Sequence, residues 1–124
     1  MNLALWIAAA LLALAFLATG LLKITRSKEK LAASGMGWTE SFSPATIKAI
    51  GVAEVLGALG LILPAVLDVA PILVPIAAVG LALVMVGAAT THLSRGEKQM
   101  VVVNVVLAAL ALFVAWGRFG PYAF

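Results

Sequence analysis

The sequence predicts an all-α integral membrane four-helix bundle with a short interfacial helix in its first loop. Three observations carry that prediction. Hydrophobic residues make up 65% of the 124 positions and charged residues only 10%, where soluble domains run near ~45–50% and ~25%. The mean hydropathy is +1.19. The apolar residues fall into four long runs separated by short polar connections. A soluble core of this size does not hide so many apolar side chains, and a surface built from them aggregates. The bilayer is the solvent that fits, and the chain reads as one membrane domain over 1–124. A soluble enzyme and a nucleic-acid binder are excluded.

A hydrocarbon core of about 30 Å is crossed by about 20 apolar residues in a helix. The first span is Leu3 to Leu22, which carries no charge. It is longer than a signal-peptide core and no Lys or Arg precedes it, so it is expected to be kept. The first connection, Arg26 to Phe42, holds most of the polar residues. Within it Lys28-Glu29-Lys30-Leu31-Ala32-Ala33 predicts a short helix stopped by Ser34-Gly35, with Trp38 and Phe42 as anchors at headgroup depth. The second span, Pro44 to Leu63, starts with Ser43 as N-cap and Pro44 at the first helical position, and Pro64 follows its end. The third, Ile72 to His92, tolerates Pro75 in its first turn because early amides lack partners anyway. The fourth is Met100 to Trp116. Tyr122, with Phe119 and Phe124, forms an aromatic belt after it. Val55–Leu61 echoes Val106–Leu112, so two parallel hairpins are conceivable, but apolar runs match readily by chance.

The basic residues set an orientation. Lys23, Arg26, Lys28, Lys30, Lys48, Arg95 and Lys98 lie toward the first and third connections, and Arg118 alone lies opposite. The positive-inside bias places those connections in the cytoplasm and both termini outside, in the inner membrane. The formal charge of +3 is thus an orientation signal. There is no Cys, so thiolate, zinc-thiolate and Fe–S chemistry are absent from this chain. The single His finds no second His to share a metal, and no metal is expected.

Polar residues within the spans are the candidates for function. Glu54 sits ten residues into span two, about 15 Å from its start. Gly51 and Gly57 share its face and Gly60 follows, and such residues let a second backbone approach or leave room for a ligand. Similar stripes run through the other spans: Ala9, Ala13, Phe16, Gly20 and Lys23; Gly80, Val84, Gly87 and Thr91; Asn104, Ala108, Ala111 and Ala115. Read as inward faces, they bring Lys23, Glu54, His92 and Asn104 to one half of the bundle, around a cavity closed on the other side by Leu, Val and Phe. Each has a bland reading beside the sharp one. Lys23 at a span end serves as a snorkelling anchor or as the partner of Glu54. His92 beside a loop caps a helix or faces a ligand. Asn104 joins helices or meets a ligand. A Glu54–Lys23 pair holds helices together or handles a ligand or a proton.

At these residues the sequence resembles the DoxX-like family of small bacterial four-helix membrane proteins. The resemblance rests on Gly20-Leu21-Leu22-Lys23, on Glu54-Val55-Leu56-Gly57-Ala58-Leu59-Gly60-Leu61 with Pro64, on Gly87-Ala88 with His92, and on Asn104. It implies a membrane partner of redox proteins more than a stand-alone enzyme, since the superfamily takes its name from a subunit linked to thiosulfate:quinone oxidoreduction. The leading expectation is therefore a membrane subunit, homo-oligomeric or complexed with a protein partner, that binds a lipid or quinone-like molecule near Glu54. The alternatives are an oligomeric, proton-coupled transporter of a small solute and a purely structural scaffold.

Overall fold

The computed structural model describes residues 1–124 as helices joined by short connections. The long helices are α1 (Asn2–Thr25), α3 (Pro44–Val66), α4 (Leu73–Ser94) and α5 (Lys98–Phe119). The short α2 (Lys28–Ala33) and a 3-10 turn (Gly37–Ser41) lie between α1 and α3. All four long helices are long and apolar enough to cross a membrane. Three of the helices are a few residues longer than the predicted spans, and α4 is shifted toward the loop end by one residue at its start and two at its end. Pro64 lies inside α3, not after its end, because one missing amide in the last turn of a membrane helix is tolerated.

Local chemistry sets the boundaries. The Ser27 hydroxyl accepts the Lys30 N–H at 3.2 Å and starts α2. Ser43 accepts the Thr46 N–H at 3.2 Å and starts α3. Both are N-caps that satisfy an amide left over by helix geometry. Gly96, with φ +72, makes the tight turn between α4 and α5 in a backbone region that favours glycine.

The bundle has two unlike ends. The loop end gathers the C-terminus of α1, α2, the 3-10 turn, the start of α3 and the α4–α5 turn. The terminus end gathers Met1, Phe124 and the α3–α4 turn. Three close helix approaches fix the shape. At the loop end α1 meets α3 at Gly20 and Gly51, where a Cβ on either would stand 2.8 Å from the other's carbonyl oxygen. Nearer the terminus end α3 meets α4, with Gly57 against Leu81 and Gly60 against Ala77. At the terminus end α5 meets α1, where a Cβ on Gly117 would stand 2.6 Å from the Leu5 methyls. The buried apolar core runs from Phe16 and Met85 toward the terminus end through Leu12, Leu61, Leu81 and Val114.

The third stripe needs correction. Gly80 and Gly87 are exposed, and a Cβ on either meets nothing within 4 Å, so neither packs a helix of this chain. The buried face of α4 is Val74, Ala78, Leu81, Met85 and His92. A helix in lipid is apolar all round, so small residues alone do not show which face turns inward.

Candidate functional site

A cavity of about 490 Å³ occupies the loop end. Every helical residue lining it comes from the loop-end half of its helix: Ala15 to Lys23 of α1, Ile50 and Glu54 of α3, Val84 to His92 of α4, and Met100 to Leu107 of α5. The cavity lies between the α1–α3 pair and the α4–α5 pair, at the end where no glycine contact joins the two pairs. The close α3–α4 and α1–α5 contacts lie nearer the terminus end, and the cavity is lined from the loop-end halves of all four long helices. The connection between α1 and α3 folds over the gap, and its Gly35, Met36, Trp38 and Phe42 also line the cavity. Trp38 and Phe42, read from the sequence as interface anchors, form an edge-to-face pair at this mouth, 5.7 Å between centroids.

The polar wall begins with Glu54, only 1% exposed. Its Oε1 pairs with Lys23 Nζ. The Thr19 hydroxyl lies 3.1 Å from Glu54 Oε2 and 3.1 Å from the Ala15 carbonyl oxygen, and with one proton it donates to one of them at a time. The Gly20–Gly51 contact brings α1 and α3 close enough for this: the two helices are antiparallel, so Lys23 lies one turn toward the loop end and Glu54 one turn toward the terminus end, and the long Lys23 side chain reaches back along α1 to the carboxylate. Lys23 also stands 5.5 Å from the Trp38 ring centroid, a cation–π contact. Removing one member of a buried ion pair costs about 3–5 kcal/mol, because it strands the other charge.

Across the cavity stands Asn104 of α5, 4% exposed. Its Nδ2 is buried without a hydrogen-bond partner. His92 closes the loop-end rim. Its Nδ1 and Arg95 Nε both lie 3.0 Å from Glu97 Oε1. A carboxylate only accepts, so the imidazole donates through Nδ1. That bond holds the Glu97 carboxyl below the ordinary glutamate range. Partial burial pushes the other way, and the Arg95 guanidinium adds to the lowering. The Trp38 ring meets His92 edge-on at 6.4 Å.

Thus Lys23, Glu54, His92 and Asn104, one from each long helix, line a single cavity, together with Gly87. Sequence reasoning missed Thr19, although it lies four residues before Lys23 and so on the same helical face. It also missed the terminus end. There Arg118 is 4% exposed and donates to Asn2 Oδ1 at 2.7 Å and to the Tyr122 carbonyl at 2.9 Å. The Phe124 and Trp6 ring centroids lie 3.9 Å and 5.6 Å from its guanidinium carbon. Tyr122 itself packs edge-on against Trp116.

The profile of the DoxX-like family matches residues 7–114. The chain belongs to the DoxX-like family. The matched stretch contains all six polar residues of the cavity wall and rim: Thr19, Lys23, Glu54, Thr91, His92 and Asn104. No curated protein and no solved structure matches the chain. This DoxX-like protein is an integral membrane protein with several spans.

Proposed function

We propose that this DoxX-like protein is the membrane partner of a redox system and holds a lipid or quinone-like molecule in the loop-end cavity beside Glu54. The observation that carries the reading is the cavity itself: an apolar chamber with a buried ion pair on one wall and an unpartnered amide on the other. Binding sites for small molecules have this composition, mostly apolar with a few convergent polar groups. A head group meets the polar wall, and the apolar remainder lies against Phe16, Met85 and Leu107. The chain offers no thiol, so thiol–disulfide chemistry in such a system belongs to a partner protein. The seven basic residues toward the loop end support a cytoplasmic loop end and termini outside in the inner membrane. Arg118, the lone exception, is tied inside the bundle and adds little to the opposite surface.

The test is mass spectrometry of molecules retained by the protein in native lipid discs, beside Glu54→Ala and empty discs. Enrichment of a quinone or lipid that the variant loses is expected. No enrichment in the wild type, together with partner complexes unaffected by Glu54→Ala, overturns the reading. A second reading is favoured by one observation, the cavity's position at one end of the bundle: an oligomer of this chain transports a small solute, with Glu54 carrying a proton. Solute flux in liposomes that is unchanged in Glu54→Gln removes it.

A further inference from the structure

The two polar walls of the cavity are not equivalent, and the difference specifies the ligand. On the α1–α3 wall the charges are already matched: the Lys23 ammonium meets the Glu54 carboxylate, and Thr19 lies against the second carboxylate oxygen. A carboxylate or phosphate entering here meets the Glu54 charge at short range in a poorly screened site, and an ammonium group meets Lys23 in the same way. The α5 wall is the reverse. Asn104 is neutral and buried, and its Nδ2 has no partner in the chain. A buried donor left unmatched is unfavourable, so the groups that fit the site are those that bring an acceptor. Between the walls lie the rings of Phe16, Trp38 and Phe42 and the thioethers of Met36, Met85 and Met100. Flat, polarisable surfaces of this kind suit an uncharged head group, and methionines adapt to its outline.

We infer that Asn104 is the residue that selects the ligand, its amide, enclosed in the ligand-free chain, turning about the side-chain bond so that Nδ2 donates to a carbonyl-type oxygen on an uncharged amphiphile, and that anionic amphiphiles are rejected by the self-matched Lys23–Glu54 pair. The inference rests on the reading of the cavity as a ligand site and narrows it from lipids in general to neutral, acceptor-bearing ones. Two sources share this chemistry: the ester carbonyl of an uncharged glyceride and the ring carbonyl of a quinone.

The experiment measures binding to the full chain in phosphatidylcholine discs with three probes: a monoacylglycerol, a short-chain benzoquinone, and a fatty acid matched in chain length to the monoacylglycerol. Trp38 reports on the cavity once Trp6 and Trp116, which lie at the terminus end, are replaced by Phe. Wild-type protein is expected to bind at least one neutral probe at least tenfold more tightly than the fatty acid. Which neutral probe binds distinguishes the two sources. Asn104→Leu, similar in volume, is expected to weaken that probe about 5- to 10-fold, the worth of one hydrogen bond. The same variant is expected to raise the melting temperature of the ligand-free protein, because it removes an unmatched buried amide. A purely structural asparagine gives the opposite sign. Two results overturn the inference while leaving the cavity a ligand site: a fatty acid bound as tightly as the neutral probes, or neutral binding unchanged in Asn104→Leu, which means that the amide meets water. Binding of none of the probes, with nothing retained from native membranes, overturns the underlying reading as well.

Discussion

The two ends of the bundle use the same materials for opposite purposes. Each buries a basic side chain near a tryptophan: Lys23 near Trp38 and Arg118 near Trp6. At the terminus end the guanidinium reaches two neutral oxygens, one on α1 and one on the C-terminal tail, and Phe124 lies against it. The planar fork of Arg suits such multiple bonding, and the result ties the two termini together. At the loop end the compact ammonium of Lys23 meets one carboxylate, and space remains beside the pair. The Gly117–Leu5 contact closes one end, whereas no comparable contact joins the hairpins at the other. The lesson is that burial of a charge does not mark a site; burial beside unfilled space and an unmatched donor does.

Lys23→Ala tests the contrast most severely. It strands the Glu54 carboxylate and is expected to cost about 3–5 kcal/mol of stability, read as loss of folded protein in lipid discs. Lys23→Met combined with Glu54→Met is expected to recover most of it. Arg118→Ala is expected to cost about 2–3 kcal/mol, the scale of hydrogen bonds from a charged group, and to leave neutral-probe binding at the loop end unchanged. A loss of binding in that variant breaks the division between the two ends. Glycine substitutions sharpen it further. Gly51→Ala pushes a methyl to 2.8 Å from the Gly20 carbonyl oxygen and is expected to cost about 1–3 kcal/mol by overpacking. Gly87→Ala, in open space, is expected to stay within about 0.5 kcal/mol of wild type.

The smallest effect concerns pH at the cavity rim. The His92 bond holds Glu97 below its ordinary value, so the folded state favours the ionised carboxylate. The stabilisation is present above the unfolded value of about 4.3 and is lost as pH falls through the lowered folded value. Thermal melts of the wild type are expected to decline below about pH 4 more than those of Glu97→Gln. Added salt is expected to reduce the difference, since the pair lies near the surface.

Much of this was legible in the chain. Four apolar runs can bury their backbone polar groups in lipid only as helices, so composition alone set the fold class. Lys28–Ala33 announced α2 through its N-cap Ser27 and the Ser34-Gly35 stop. Glu54, Lys23, His92 and Asn104 were legible as candidates because a polar side chain in an apolar span needs a reason. The facing of α4 was not legible, since its lipid side is as apolar as its core side, and Gly80 and Gly87 meet no helix within the chain. The contacts of Thr19, Gly117 and Arg118 were not legible, because they depend on partners 35, 112 and 116 residues away.

The sequence by itself determined the solvent, the number of spans, the small helix and the height of each polar group, because these follow from transfer free energy and helical rise. Only the tertiary structure decided that Lys23 meets Glu54, that Asn104 meets nothing, and that one end of the bundle is open while the other is tied shut. Those outcomes depend on how helices rotate and splay against each other, and in lipid that is settled by close packing at a few glycines instead of by hydrophobicity.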